Sequence, residues 1–133
     1  MVTRDDPAFP HTFDGLMALV ARLRGLEGCP WDGEQTRRSM TRYVLEECYE
    51  LLEAIEEGDH GGVAEEVGDV MFHLAFQVQL GKEDTTFDEE AMFSSVIDKL
   101  VRRHPHVFGG VDVKNVDGVW QQWEKIKLTE KAG

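Results

Sequence analysis

Apolar residues recur along this chain with a helical period rather than the alternation of a strand. Leu16, Leu19, Val20 and Leu23 fall at i, i+3, i+4 and i+7, the stripe of an amphipathic helix, and predict one from Phe13 to Leu26. "GLEGCPWDGEQT" (25–36) reads as a loop, because Gly25, Gly28, Pro30 and Gly33 interrupt any regular period. A second helix is predicted from Ser39 or Thr41 to Glu57, and a third from about Val63 to Leu80. "GDHGG" (58–62) predicts the sharp turn that joins them, through its two adjacent glycines. After the loop "GKEDTTF" (81–87), a fourth helix starts at Phe87 or Asp88 and reaches Arg103. Pro105 closes it, since the residue before proline avoids the α region. A short last helix spans Val119 to about Lys127, and "HVFGGVDV" (106–113) is the one stretch with strand character. The pattern predicts an all-α chain of four or five helices, arranged as a bundle. It reads as a single domain over residues 1–133, with 1–11 and 129–133 as loose ends.

The polar positions on these helices are less ordinary. "EECYELLEAIEEGDHGGVAEEVGD" (46–69) places ten carboxylates in 24 residues. On the second helix, Val44, Leu45, Cys48, Tyr49, Leu51, Leu52 and Ile55 form one arc at 100° per residue. Glu46, Glu53 and Glu57 lie opposite, Glu47 borders the arc, and Glu50 is one step further out. The third helix is apolar nearly all round, through Val67, Val70, Met71, Phe72, Leu74, Ala75, Phe76 and Val78. Burial on several sides is expected of such a helix. Glu66 and Asp69 nevertheless stand on it, with His73 in line one turn later. Burying unpaired charge is costly, so these acids need a partner.

A short turn makes the two helices antiparallel neighbours. Glu47 and Glu50 can then face Glu66 and Asp69 across a groove. Two explanations stand side by side. The acids form a solvated face, the better account of Glu46, Glu53, Glu56, Glu57 and Glu65. Or four of them hold a hard cation, the better account of Glu66 and Asp69. No calcium-loop pattern is present on these helices, Glu66 is followed three residues later by Asp69 and only at +7 by His73, so the Glu-x-x-His of di-iron bundles fails there, and Cys and His clusters for zinc are absent. All-oxygen ligands favour Mg²⁺, with Mn²⁺ as a substitute.

Composition narrows the partners. Hydrophobic residues make up 41% of the chain and charged residues 30%, within the globular range. A net charge of −12 disfavours binding nucleic acid, which needs a cationic footprint. It leaves nucleotides open, because a bound cation inverts the local sign. No apolar run approaches the roughly 20 residues of a membrane span, and "MVTRDDPAFP" lacks the basic start and apolar stretch of a signal peptide. A cytoplasmic location is the expectation. Cys29 and Cys48 form neither a CxxC pair nor a disulfide framework.

"EECYE" (46–50) followed by "EVGD" (66–69) fits the EExxE…ExxD signature of the all-α nucleoside triphosphate pyrophosphohydrolases. With "GCPWDGEQT", "EEGD", "KLVRRHPHVFGG" and "WEKIK" in the same order, the chain resembles the MazG family over about residues 12–128. That resemblance implies a bundle of the all-α NTP pyrophosphatase type. It also implies Mg²⁺-dependent hydrolysis of (d)NTPs between the α and β phosphates, in a homodimer or higher homo-oligomer. The family's metal ligands fall on Glu47, Glu50, Glu66 and Asp69, with Glu46 as a supporting residue or water-orienting base. Its substrate contacts fall on Lys99, Arg102, Arg103, Trp123 and Lys127.

The residues themselves are compatible with that chemistry. Lys99 and Arg103 share a helix face at i, i+4, and arginine forks suit phosphate oxygens. The alternative role of this cluster is to complement a helix C-terminus. Trp31 lies in the Gly/Pro loop, where a large aromatic is unexpected, and is a candidate base contact; Trp120 reads as core. His104 and His106 read as caps or phosphate contacts. Two rival functions are also compatible with these residues: a pyrophosphatase for one narrower nucleotide, and a non-catalytic helical interaction module.

Overall fold

The structure is a computed structural model in which residues 9–132 are described. All regular structure among the described residues is helical, and "HVFGGVDV" forms no strand. Among the described residues there are seven helices, two more than the upper expectation. The additions are single turns initiated by proline: α2 (Pro30–Glu34) inside the expected first loop and α6 (Pro105–Phe108) after the fourth long helix. Proline's fixed φ suits the first helical position, where its missing N–H costs nothing. The others are α1 (Phe13–Arg24), α3 (Thr41–Glu57), α4 (His60–Glu83), α5 (Glu89–Arg103) and α7 (Val116–Ala132). The last is longer than expected at both ends. It takes in residues 129–132, read above as a loose end. Most of the expected lead-in, residues 1–8, lies outside the described residues.

The chain divides into two compact units, one ending at Asp88 and the other starting at Glu89. In the first, α4 packs on both α3 and α1. Its core is Met17 and Val20 of α1, Met40 before α3, Ala54 of α3, and Ala75, Phe76, Val78 and Leu80 of α4. Each fully buried large side chain contributes about 1.5–3 kcal/mol. Arg24 ties the unit together: it donates to Glu83 through Nε and Nη2 at 2.8 Å each, and through Nη1 to the carbonyls of Asp32 and Gln35 at 2.6 and 2.9 Å.

The turn between α3 and α4 sets their antiparallel register. Gly58 adopts φ +71°, the left-handed conformation glycine tolerates best, and ends α3. Its N–H donates to Ile55 O at 3.1 Å, and that of Asp59 to Ala54 O at 3.2 Å. Asp59 then caps α4, its Oδ1 accepting from Gly62 N at 3.1 Å. The glycine pair expected to break the helix instead forms the first turn of α4, because the aspartate before it satisfies the free amides. A Cβ at Gly62 would lie 2.6 Å from Asp59 Oδ2.

α4 is not buried all round, contrary to the expectation from its apolar pattern. Its C-terminal half carries the buried residues, whereas Val67, Met71 and Leu74 are exposed. On α3, Leu45, Tyr49, Leu52 and Ile55 are likewise exposed, and only Ala54 is buried. Periodicity identifies an apolar face but not what covers it.

In the second unit α5 packs against α6 and α7. No described residue of these three helices is buried, and Trp120, expected in a core, is 64% exposed. No described helix is long and apolar enough to cross a membrane.

Candidate functional site

α3 carries Glu47 and Glu50 one turn apart, and α4 carries Glu66 and Asp69 at the same spacing. The tight turn folds one pair toward the other. Oxygens of Glu47, Glu66 and Asp69 come within 4.8 Å of one another. Glu50 is not part of this trio, but its charge acts on both Glu47 and Glu66. Glu47 and Glu66 are half-buried, while Asp69 is exposed, against the expectation that α4 leaves its acids little solvent.

The electrostatics of the cluster are unfavourable as it stands. Glu47 Oε2 and Glu66 Oε2 are buried with no hydrogen-bond partner. Among the described residues, none of these four acids forms an ion pair with lysine or arginine. Burial, the charge of Glu50, the close approach of Glu66 and the charge of Asp69 push the Glu47 carboxyl up to about 7. Glu66 is raised too, chiefly by burial. Carboxylates brought together in a partly dry groove hold protons unless a cation replaces them.

The remaining acids separate as expected. Glu53, Glu56, Glu57 and Glu65 are exposed. Glu46 is exposed as well and stands outside the trio, 4.0 Å from Arg42 Nη2 in an i, i+4 pair. His73, one turn beyond Asp69, is buried with an unpartnered Nδ1, and burial lowers its pKa.

Two residues beside the cluster escaped the sequence reading. Tyr43 lies one helical turn before Glu47 and meets Trp31 edge-on, with ring centroids 5.6 Å apart. Arg42 lies over the Tyr43 ring at 5.3 Å. Their i, i+4 spacing from Glu47 and Glu46 was the available signal. Trp31 is 47% exposed on a short helix. Gln35 Nε2 donates to its carbonyl at 2.9 Å, and Arg24 binds the carbonyls on either side of α2's end.

The second unit gathers the other candidates. Arg102 Nε donates to Glu130 Oε2 at 2.6 Å, and Arg103 Nη2 to Glu130 Oε1 at 2.8 Å. The Arg103 guanidinium lies 5.2 Å over the Trp123 ring, which His104 meets edge-on. Lys127 is paired with Glu124 at 3.9 Å, and Lys99 is half-buried on α5. His104 Nδ1 contacts Leu100 O at 2.6 Å, the helix-end contact expected of a cap, and His106 Nδ1 lies 3.3 Å from Gln122 Nε2. Sequence spacing gave no sign that Glu130 would pair with both arginines, since 27 or more residues separate them.

Residues 35–108 match the MazG nucleotide pyrophosphohydrolase domain. The chain is 42% identical over 120 residues to the nucleoside triphosphate pyrophosphohydrolase/pyrophosphatase MazG of Thermotoga maritima, covering 90% of this chain and 46% of that protein. It is 42% identical over 123 residues to the nucleoside triphosphate pyrophosphohydrolase of Escherichia coli K12, covering 92% and 47%. An uncharacterized Bacillus subtilis protein, YabN, is 41% identical over 128 residues, 96% of this chain and 26% of that one. The chain thus spans between a quarter and a half of the length of these relatives. Its fold matches the crystal structure of a MazG-related protein from Thermotoga maritima with a TM-score of 0.71 at 23% identity, over 86% of this chain and 97% of that one. The chain belongs to the MazG nucleotide pyrophosphohydrolase domain family.

Proposed function

We propose that this chain is a Mg²⁺-dependent nucleoside triphosphate pyrophosphohydrolase, cleaving (d)NTPs between the α and β phosphates to give the monophosphate and pyrophosphate. The observation that carries this reading is the meeting of Glu47, Glu66 and Asp69 within 4.8 Å, with buried unpartnered oxygens on the first two. Family membership and the names of the relatives support a nucleotide substrate.

The residues fit a hard divalent cation. The donors are all oxygen, two of those oxygens lack any partner, and no cationic side chain among the described residues neutralises them. Glu47, Glu50, Glu66 and Asp69 would hold the ion, and Mn²⁺ would substitute for Mg²⁺. Bound there, it would neutralise phosphate charge and lower the pKa of water. Hydrolysis consumes one water and splits the Pα–O–Pβ bridge. Glu46, the first acid of the signature, is the candidate to orient that water and take its proton. Lys99, Arg102, Arg103 and Lys127 supply cationic contacts to phosphate. Trp123 and Trp31 supply aromatic ones, and the ring of Tyr43 steadies Trp31.

A homodimer or higher homo-oligomer belongs to the same reading. Leu45, Tyr49, Leu52 and Ile55 on α3, with Val67, Met71 and Leu74 on α4, are exposed beside the acids. A second copy would cover that face. A role in nucleotide pools would place the protein in the cytoplasm.

Pyrophosphate release from a panel of (d)NTPs tests the function. It is expected with Mg²⁺, and to vanish with EDTA or in Glu50→Gln. Release that survives either treatment would sink the metal mechanism. A single nucleotide active in the panel would favour the narrower pyrophosphatase, and silence with all of them the interaction module.

A further inference from the structure

We propose that Glu130 is a specificity-determining residue: its carboxylate occupies the anion site formed by Arg102 and Arg103, and only a polyphosphate displaces it. The identity of the incoming anion rests on the nucleotide reading above; the site itself rests on geometry.

Two adjacent guanidiniums repel one another unless an anion lies between them. Glu130 is that anion. Its Oε2 accepts from Arg102 Nε at 2.6 Å, while its Oε1 accepts from Arg103 Nε at 3.1 Å and Nη2 at 2.8 Å. One carboxylate bridges two guanidiniums with separate oxygens, as a phosphate group does.

The placement of Glu130 favours exchange. It sits in the last turn of α7, where the helix's partial negative charge opposes a carboxylate. The helix therefore gains nothing from its charge there. Last turns also open more readily than helix interiors. Arg103, by contrast, is held independently of Glu130. Its side chain is 17% exposed, and its guanidinium rests over Trp123, itself braced by His104. When Glu130 withdraws, the arginine stays in place.

Competition from the carboxylate sets a threshold. An anion with little more charge than Glu130 gains nothing by replacing it. A polyphosphate brings more charge and more oxygens, so it wins both arginines. The site would hold a triphosphate or pyrophosphate end and let a monophosphate go.

Calorimetric titration of inorganic tripolyphosphate and inorganic phosphate into the metal-free chain, in EDTA, tests this. The wild type is expected to bind tripolyphosphate and not phosphate. Glu130→Gln is expected to bind tripolyphosphate about tenfold tighter and to gain phosphate binding. Arg102→Ala/Arg103→Ala in either background is expected to bind neither. With a nucleotide triphosphate as substrate, Glu130→Gln should lower KM and leave kcat in place. Unchanged or weaker tripolyphosphate binding by Glu130→Gln overturns the proposal, even if the chain hydrolyses nucleotides. Tighter binding in a chain that hydrolyses none upholds the site and overturns the nucleotide reading instead. Helical circular dichroism checks the fold. If Glu130→Gln has lost it, Glu130→Asp, whose shorter side chain withdraws the carboxylate, is expected to tighten binding in the same way and decides the matter.

Discussion

Glu47 on α3 and Glu66 on α4 each present a buried Oε2 without a hydrogen-bond partner, and their carboxylates meet within 4.8 Å. The contact is destabilising in the absence of a cation, so substitution should separate folding from function. Glu47→Gln is expected to raise the melting temperature of the metal-free protein and to abolish the further rise on adding Mg²⁺. Hydrolysis should fall about 100-fold or more, since even partners of metal ligands are worth 10–100-fold. Thermal melts with and without Mg²⁺, beside pyrophosphate release, check all three; a Mg²⁺-induced rise that persists would remove Glu47 from the metal site.

The raised Glu47 carboxyl has a consequence for pH. Its value is 4.5 when unperturbed and about 7 in the fold. Between these values the folded chain binds more protons than the unfolded one, so its stability falls as pH rises toward 7. His73 acts in the opposite sense, because burial lowers its pKa below 6.5 and favours the folded state as pH rises. The two are separated by difference. The stability gap between Glu47→Gln and the metal-free wild type should widen from about pH 5 to about pH 7 and level off above it. Mg²⁺ binding should release protons across the same window. A gap independent of pH would mean that Glu47 titrates normally.

Arg24 joins α1 to α4 through Glu83 and to the end of α2 through two carbonyls. Its side chain is 9% exposed but that of Glu83 is 40%, so the ion pair is worth less than a fully buried one. Arg24→Ala, which also orphans the carbonyls of Asp32 and Gln35, is expected to cost about 2 kcal/mol in chemical denaturation. Trp31 should become more mobile, seen as altered tryptophan fluorescence before unfolding. Glu83→Ala keeps the carbonyl contacts and should cost less.

The exposed α3 face predicts the assembly state. Leu52 and Ile55 are each 54% exposed. Leu52→Glu/Ile55→Glu is expected to give a monomer in sedimentation, where the wild type gives a dimer or larger. A wild-type chain that sediments as a monomer at every concentration would leave that face without the proposed partner.

Much of the first unit was legible from apolar spacing and glycine placement. Its three long helices, α1, α3 and α4, follow from the 3.6-residue period, and "GDHGG" marked the α3–α4 turn. That Glu47, Glu66 and Asp69 could meet was legible from i, i+3 spacing on two helices joined by a short turn, whereas Glu50, expected beside them, stays outside the trio. The start of α4 was not legible. Two glycines argue for a break, and the outcome depended on Asp59 supplying a cap. The single-turn helices also escaped, being too short to show a period.

What the sequence by itself determined is the helical class, the antiparallel pairing of α3 and α4, and which carboxylates share a face. Those follow from backbone geometry, which repeats at fixed intervals along the chain. What only the tertiary structure decided is which of those acids meet, and with what protonation. Glu47, Glu66 and Asp69 converge while Glu46 turns to Arg42, a matter of side-chain reach across packed helices. It alone joined Glu130 to Arg102 and Arg103, because contact between residues 27 or more positions apart is fixed by packing and not by period.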